Sequence, residues 1–228
     1  MNIMKLHALA AASVALVFAG VAQGQVDNTN ILNSPTLNAS IPQGSFVGTT
    51  AQNTFSGVYG PIISVTVSLD ISGGFNGDLY AYLAGPAGGF AVLLNRVGVT
   101  STDAFGYSDT GFNVIFDQNA AYNIHNYQLD SPSSGQLTGS WQPDGRNIDP
   151  ESSGSTFDSP TPTADLTSFA GDNPNGAWTL FIADLSSGAQ STLVSWGLTV
   201  VTVPEPQTWV LVAGGVGMLA GLNRRRKI

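Results

Sequence analysis

The stretch from Asn175 to Val201 constrains the fold most strongly. It holds two apolar runs, Trp178–Ala183 and Leu193–Val201, separated by a loop of Ser, Gly, Ala and Gln. Both runs are rich in β-branched, aromatic and large aliphatic residues, which fit a pleated surface. Two such runs joined by a glycine-containing loop predict an antiparallel hairpin. We interpret this hairpin as the centre of a β-sandwich, with Trp178 and Trp196 as core anchors because each indole can bury about 150–250 Å².

Apolar residues alternate with polar ones along the predicted strands, which indicates half-buried sheets. The predicted inward faces are Trp178, Leu180 and Ile182; Val194, Trp196, Leu198 and Val200; and Ile63, Val65, Val67, Leu69 and Ile71. Further short strands are predicted at 45–50, 78–84, 90–94 and 112–116, with Gly- and Pro-rich turns between them. This spacing is typical of an all-β sandwich or barrel.

Two segments lack such a pattern. Residues 25–44 are polar, and we expect them to lead into the first strand at Ser45. Residues 117–164 are rich in Asn, Ser, Pro and Gly, and they predict one long irregular connection. Because structureless loops of that length are uncommon in compact domains, this one is a candidate functional or mobile segment.

The charge pattern disfavours one class of partner. The 228-residue chain has a formal net charge of -8 and no cysteine, so neither disulfides nor thiol chemistry are available. Between Gln25 and Val203 the basic residues are Arg96 and Arg146, whereas 14 residues are acidic, 13 of them aspartates. Such a domain repels nucleic acid phosphates. Aspartates in loops suit calcium, which prefers oxygen ligands, but they equally serve turns and solubility.

Both ends of the chain indicate export. Residues 1–24 predict a signal peptide with basic Lys5, apolar Leu9–Val21 and cleavage after Gly24. Near the other end, Thr208–Leu222 is apolar over about 15 residues, close to the lower limit for a short transmembrane helix. The basic residues that follow should stay in the cytoplasm, so the folded domain faces outward. They are Arg224, Arg225, Arg226 and Lys227.

The residue types give no catalytic constellation. Of two histidines, His7 lies in the predicted signal peptide, which leaves His125 in the mature chain. The sequence has no G-x-S-x-G elbow, H-E-x-x-H helix or phosphate-binding glycine loop. We therefore expect a protein that is not an enzyme.

Short motifs follow one another in a fixed order between about Ser45 and Thr202. They are Gly77-Asp78-Leu79 with Gly85-Pro86; Phe116-Asp117 with Ala120; Gly139–Pro143; Leu166–Gly171; Asn175–Leu180 with Asp184; and Ser195–Leu198. This set resembles the P-domain (P/Homo B domain) that accompanies subtilisin-like proprotein convertases and many secreted bacterial proteins. The resemblance implies a jelly-roll-like (galactose-binding-like) β-sandwich over residues 45–202, acting as an interaction module without its protease.

The same resemblance implies a candidate calcium site, because some members of the family bind calcium. Asp78 and Asp117 stand at matching positions and are candidate Ca²⁺ ligands. The sequence departs from the family at Gln118, where a second aspartate is usual, and at 188–191, where an acidic residue is missing. Asp184 also matches, although its carboxylate could cap the following loop instead.

The C-terminus carries a second resemblance. Pro204, Glu205 and Pro206, followed by the apolar segment and by Arg224, Arg225 and Arg226, resemble a PEP-CTERM sorting signal over residues 203–228. The resemblance implies processing by an exosortase-like enzyme. The protein would pass from a membrane-anchored intermediate in the inner membrane to the cell surface or the extracellular space.

Three functions remain open from the sequence. The first is a surface or matrix interaction module, with exopolysaccharide or other surface proteins as partners. The second is a calcium-dependent carbohydrate-binding module, since jelly rolls often serve lectins. A further alternative is an accessory domain of a secreted serine protease system. The third is a hydrolase whose carboxylates lie in the segment 117–164.

Overall fold

A computed structural model describes residues 27–130, 135–158 and 161–203. The predicted signal peptide, the apolar C-terminal segment and the sorting residues Pro204, Glu205, Pro206 and Arg224–Arg226 lie outside the described residues. Within those ranges no helix is long and apolar enough to cross a membrane. The two α-helices there, α1 (Tyr127–Asp130) and α2 (Gly154–Phe157), have four residues each.

Strands dominate the described part of the chain. They are β1 (Asn28–Asn33), β2 (Ala39–Ser40), β3 (Ser45–Phe55), β4 (Ile62–Gly73), β5 (Leu79–Ala84), β6 (Phe90–Asn95), β7 (Phe112–Asp117), β8 (Leu137–Trp141), β9 (Gly176–Asp184) and β10 (Ser191–Thr202). Three 3-10 turns lie at Asn76–Asp78, Ile124–Asn126 and Leu166–Phe169.

The described strands form two sheets that pack face to face. One has the order β1-β10-β4-β7-β8, with β2 also paired to β10, and the other has the order β3-β9-β5-β6. Side chains from both sheets belong to one hydrophobic core. This arrangement confirms the predicted all-β sandwich.

The predicted hairpin between the two organising runs is wrong. Strand β9 pairs with β3 and β5, whereas β10 pairs with β1 and β4, so the two runs belong to opposite sheets. Their connecting loop crosses from one sheet to the other. The predicted anchors are confirmed, because Trp178 and Trp196 are 0% and 2% exposed within the shared core.

Alternation correctly predicts the middle of each long strand and fails beside bulges. Val65, Val67 and Leu69 are buried as predicted, but Ile63 is 41% exposed while its neighbour Ile62 is buried. Register shifts in the β4–β10 pair, between Val201 and Thr202 and between Leu193 and Ser195, change which face points inward. Leu193 is therefore buried in place of the predicted Val194.

The sandwich begins earlier than Ser45. Residues 28–33, which we predicted to be part of a polar leading segment, form β1 and pair antiparallel with β10 along its whole length. The sequence pattern does not predict this strand because it lies at the edge of the sheet and buries little surface. Ile31 is mostly exposed and Leu32 is only partly buried. Backbone hydrogen bonds to β10, rather than an apolar face, define it.

The segment 117–164 is not one irregular loop. It contains β8, which pairs in parallel with β7. Farther on, the chain runs along the free side of β6: the Gly145 amide donates to the Val92 carbonyl (2.9 Å), and the Val92 amide donates to the Ala164 carbonyl (2.8 Å). Covering an edge strand in this way blocks pairing with other chains. Much of this segment therefore serves the scaffold.

Candidate functional site

A 3-10 turn places the first candidate ligand at one end of the sandwich. The turn Asn76–Asp78 joins β4 to β5, and Asp78 is 7% exposed. The amides of Asn76 and Gly77 donate to the carbonyl oxygens of Asp109 (2.9 Å) and Tyr107 (2.8 Å). These bonds fix the turn against the loop that precedes β7.

Gly77 lets that loop approach the turn closely. A Cβ atom at this position would collide with the carbonyl oxygen of Phe105 and would lie 2.8 Å from the Tyr107 amide nitrogen. A side chain would therefore push the loop away from Asp78. Glycine is therefore required for steric reasons at the first position of the Gly77-Asp78-Leu79 motif. The loop that packs against it forms one wall of a cavity.

This cavity has a volume of about 280 Å³. Its wall comprises Phe75, Asp78, Phe105, Gly106, Tyr107, Ser108, Ser186 and Ser187. We call it the Asp78 cavity. Three aromatic residues, one carboxylate and three serine hydroxyl groups thus line one space, and Phe105 is 79% exposed.

Two carboxylates at this end repel each other. Burial raises the pKa of Asp78, while a hydrogen bond from Ser186 and the charge of Arg96 act in the opposite direction. Burial and the neighbouring charge of Asp78 raise the pKa of Asp184, which is 1% exposed. The Ser191 hydroxyl donates to Asp184 Oδ2 at 2.8 Å, and the Ser186 backbone also favours the carboxylate, but Oδ1 has no partner of ordinary hydrogen-bond geometry among the described residues.

Asp117, the second candidate ligand, lies elsewhere. It ends β7, whereas Asp78 packs beside the residues that precede the start of that strand. The six residues of β7 span about 17 Å, so the structure does not bring the two aspartates together. The Asp117 carboxylate accepts from the Asn119 amide at 2.8 Å, as aspartates in turns do.

No group of three or more His, Cys, Asp or Glu side chains with the geometry for a metal ion occurs in the described ranges. Calcium binding by Asp78 or Asp117 stays a prediction. If calcium bound at Asp78, other oxygen atoms, such as the hydroxyl groups of the cavity wall and water, would have to complete its coordination.

Sequence reasoning missed a buried charged cluster around Asp144. Nδ1 of His125 lies 2.7 Å from Asp144 Oδ2, and its Nε2 lies 3.1 Å from the Val99 carbonyl oxygen. Arg146 Nη1 donates to Asp144 Oδ1 at 3.1 Å. The His125 ring also stacks on Phe157 with the planes 10° apart. The sequence signal was available but weak: one Asp and one Arg, two residues apart, in an otherwise uncharged stretch.

A strip of aromatic rings lies on the four-stranded sheet, on the face opposite to the core. Tyr82 and Phe181 are cross-strand partners and stack with centroids 4.9 Å apart. Tyr80 and Phe90 flank Tyr82 at 6.0 and 5.1 Å. All four rings are partly exposed. We call these four residues the aromatic strip.

Comparison with known proteins finds similar solved structures at low identity. No family model matches the chain, and no curated protein matches it. The chain is similar to the crystal structure of a serine protease of Aeromonas sobria (TM-score 0.43, 14% identity) and to the complex of that protease with the chaperone ORF2 (TM-score 0.43, 15% identity). Each alignment covers 79% of this chain and 27% of the other, so the chain spans about a quarter of the length of the proteases that it matches.

Proposed function

We propose that the chain is a non-catalytic, exported interaction module of the cell surface or extracellular matrix, resembling a stand-alone P-domain and sorted by an exosortase-type system. One observation carries this proposal: the residues of the P-domain-like motifs take fold-determining positions in a single β-sandwich. Trp178, Leu180 and Trp196 are core residues, and Gly77 makes the close contact described above. The resemblance therefore concerns the scaffold, on which binding surfaces vary.

The surroundings of His125 support a role without catalysis. The side chain is 1% exposed, and both ring nitrogens face acceptors inside the protein. A general base must reach a proton of the substrate. His125 has neither a free nitrogen nor access, so it belongs to the scaffold.

Export and sorting supply the proposed partners. The protein first meets the inner membrane as an anchored intermediate and then an exosortase-like processing enzyme. Afterwards it meets exopolysaccharide or other surface proteins. The acidic domain supports a partner that is not a nucleic acid, because phosphates would be repelled.

Cell fractionation tests the proposal. An epitope tag placed after residue 24 reports the location of wild type and of Glu205→Ala, with Glu151→Ala as the matched control at an exposed glutamate of the domain. We expect wild type and Glu151→Ala at the surface in a shortened form, and Glu205→Ala retained in the inner membrane at full length. Cytoplasmic wild-type protein, or identical processing of all three, would contradict the proposal.

Carbohydrate binding is the second candidate, and the aromatic strip favours it. Partly exposed rings in a row offer flat apolar surfaces with hydroxyl groups at their edges, which suit sugar rings. A glycan array, with and without a chelator, tests this function and its calcium dependence. We expect Tyr82→Ala to abolish any binding, whereas Tyr122→Ala, at an exposed tyrosine elsewhere, should keep it. Glycan binding that is retained in Tyr82→Ala would show that the aromatic strip is not the binding surface.

A further inference from the structure

We propose that the Asp78 cavity binds the ammonium or guanidinium group of a basic side chain on a protein partner. This inference deepens the proposed function, since it names a partner class for the interaction module, and it rests on that function only for where the partner is met. It depends on the charge, the walls and the rigidity of the cavity.

The charge of the cavity calls for a cation. Asp78 and the neighbouring Asp184 are both buried, and neither makes an ion pair within the described part of the chain, where the ion pairs involve Asp144. Arg96 acts on Asp78 only through its field, because its guanidinium donates to the carbonyl oxygens of Ala104 (2.9 Å) and Pro150 (3.4 Å). A cation from a partner could contact the Asp78 carboxylate directly, which Arg96 does not, and its charge would also offset that of Asp184.

The walls favour an organic cation. Phe75, Phe105 and Tyr107 line the same cavity as the Asp78 carboxylate. A Lys or Arg head group gains from the faces of such rings as well as from the carboxylate. Calcium would gain nothing from the rings and needs six to eight oxygen ligands. The hydroxyl groups of Ser108, Ser186 and Ser187 can accept the remaining N–H groups.

The cavity is built before any ligand arrives. The Phe105 and Gly106 amides donate to Asp103 Oδ1 (3.1 and 3.0 Å), and the Tyr107 amide donates to the Val97 carbonyl (3.0 Å). On the far side of the loop, the hydroxyl of Tyr127 donates to Asp109 Oδ2 (2.8 Å). A preformed site loses less conformational entropy on binding.

The size and the surrounding charge fit one side chain of a larger partner. At about 280 Å³ the cavity lies just below the usual range of small-molecule pockets, about 300–1,000 Å³. Asp103 and Asp130, which are exposed, also act on Tyr107 through their charges, so the mouth is negative beyond the cavity itself. A basic protein segment would meet this field on approach.

Ligand-observed NMR on the full chain in detergent micelles tests the proposal. The probes are a capped Gly-Arg-Gly peptide and its citrulline analogue, which keeps the shape but not the charge. We expect weak binding of the arginine peptide, about tenfold weaker binding to Asp78→Asn, and unchanged binding to the control Asp27→Asn, at an exposed aspartate outside the cavity wall. Binding of both peptides alike, or equal losses in the two variants, would overturn the proposal.

A second variant covers the case in which Asp78→Asn does not fold. Phe105→Ala removes a ring that is 79% exposed, so folding should be unaffected while the arginine peptide binds more weakly. Unchanged binding to Phe105→Ala, or displacement by calcium chloride but not by sodium chloride at equal ionic strength, would overturn the proposal, the latter in favour of a metal site. The outcome is independent of the Glu205→Ala fractionation test, which leaves the cavity intact.

Discussion

Two buried aspartates at the same end of the four-stranded sheet have opposite electrostatic surroundings. Asp144 receives the Asn95 amide at 3.3 Å and lies between His125 and Arg146. Asp184 is the cross-strand partner of Leu79, next to Asp78, and one of its oxygens has no partner of ordinary hydrogen-bond geometry in the described structure. The first carboxylate is surrounded by donors, and the second lies beside another acid.

This difference separates scaffold from site. Charges that are paired and hydrogen-bonded inside a fold hold loops in place, and removing one member leaves the others uncompensated. Like charges that lie close together lower the stability of a fold, so binding of an opposite charge between them would raise its stability. We therefore assign the Asp144 cluster to the architecture of residues 95–146 and the Asp78 cavity to binding.

The largest expected effect is that of Asp144→Ala. The change removes the acceptor of the Arg146 guanidinium and of the His125 ring at once, and both side chains stay buried. Breaking a buried ion pair on one side costs about 3–5 kcal/mol. Urea unfolding should show that loss, while the exposed control Glu151→Ala stays within about 0.5 kcal/mol of wild type. A loss below 1 kcal/mol for Asp144→Ala would break the comparison.

His125→Phe is expected to cost less. A phenyl ring can keep the stack on Phe157, but it leaves Asp144 Oδ2 and the Val99 carbonyl without their nitrogen partner. Buried polar atoms that lose a hydrogen bond cost about 1–3 kcal/mol, and Arg146 still compensates the carboxylate. The same urea titration measures it. If His125→Phe destabilised the protein more than Asp144→Ala, the carboxylate would not be the centre of the cluster.

Asp184→Asn should stabilise the protein, in contrast to the two changes in the Asp144 cluster. The folded state raises the pKa of Asp184 above its ordinary value of 3.8, so stability from this residue is fully present below about pH 3.8 and is lost as the pH rises through the raised folded value. Asparagine cannot ionise and avoids that loss. We expect it to be more stable than wild type at pH 7, because burial and the charge of Asp78 no longer act on an ionised group.

The pH dependence of that difference is the sharper measurement. Thermal unfolding of wild type and Asp184→Asn between pH 3.5 and 7 should give a gap in midpoint that is smallest at the acid end and grows toward neutrality. Carboxylates far from Asp184 titrate alike in both proteins and cancel from the gap, whereas loss of the repulsion of Asp78 by Asp184 widens the gap in the same direction. A gap that grew toward acid would mean that Asp184 is stabilised as an anion, and the two regions would no longer differ.

How far the sequence predicts this molecule depends on whether a feature is local. Alternation and large apolar side chains identify the core, as Trp178 and Trp196 show, because burial follows from residue type. Strand partners are not local: the run after Asp184 joins the opposite sheet, and nothing in its composition distinguishes that from a hairpin. The sequence does not reveal the bulges or the polar edge strand β1 for the same reason, because their positions depend on neighbours in space.

The candidate site likewise has one part that the sequence predicts and one part that it does not. The Gly77-Asp78-Leu79 motif pointed to Asp78, and the structure places that residue in a cavity wall. The sequence could not show that Asp117 lies at the far end of β7, or that Asp184 shares the field of Asp78, because separations across strands depend on register. The rings of Phe105 and Tyr107 come from a loop whose path depends on Gly77.

The smallest expected effect is that of calcium. An ion that binds the native state raises the unfolding midpoint, because it adds about 2.7 kcal/mol to the free energy of unfolding at one hundred times its dissociation constant. Because Asp78 and Asp117 lie far apart and cannot share one ion, we expect any difference in midpoint between calcium and chelator at matched ionic strength to be smaller than the effects above. A rise abolished by Asp78→Asn would place a metal in the cavity and make its carboxylates a cation site of a different kind. A rise abolished by Asp117→Asn alone would put the metal at the other end of β7, away from both buried clusters.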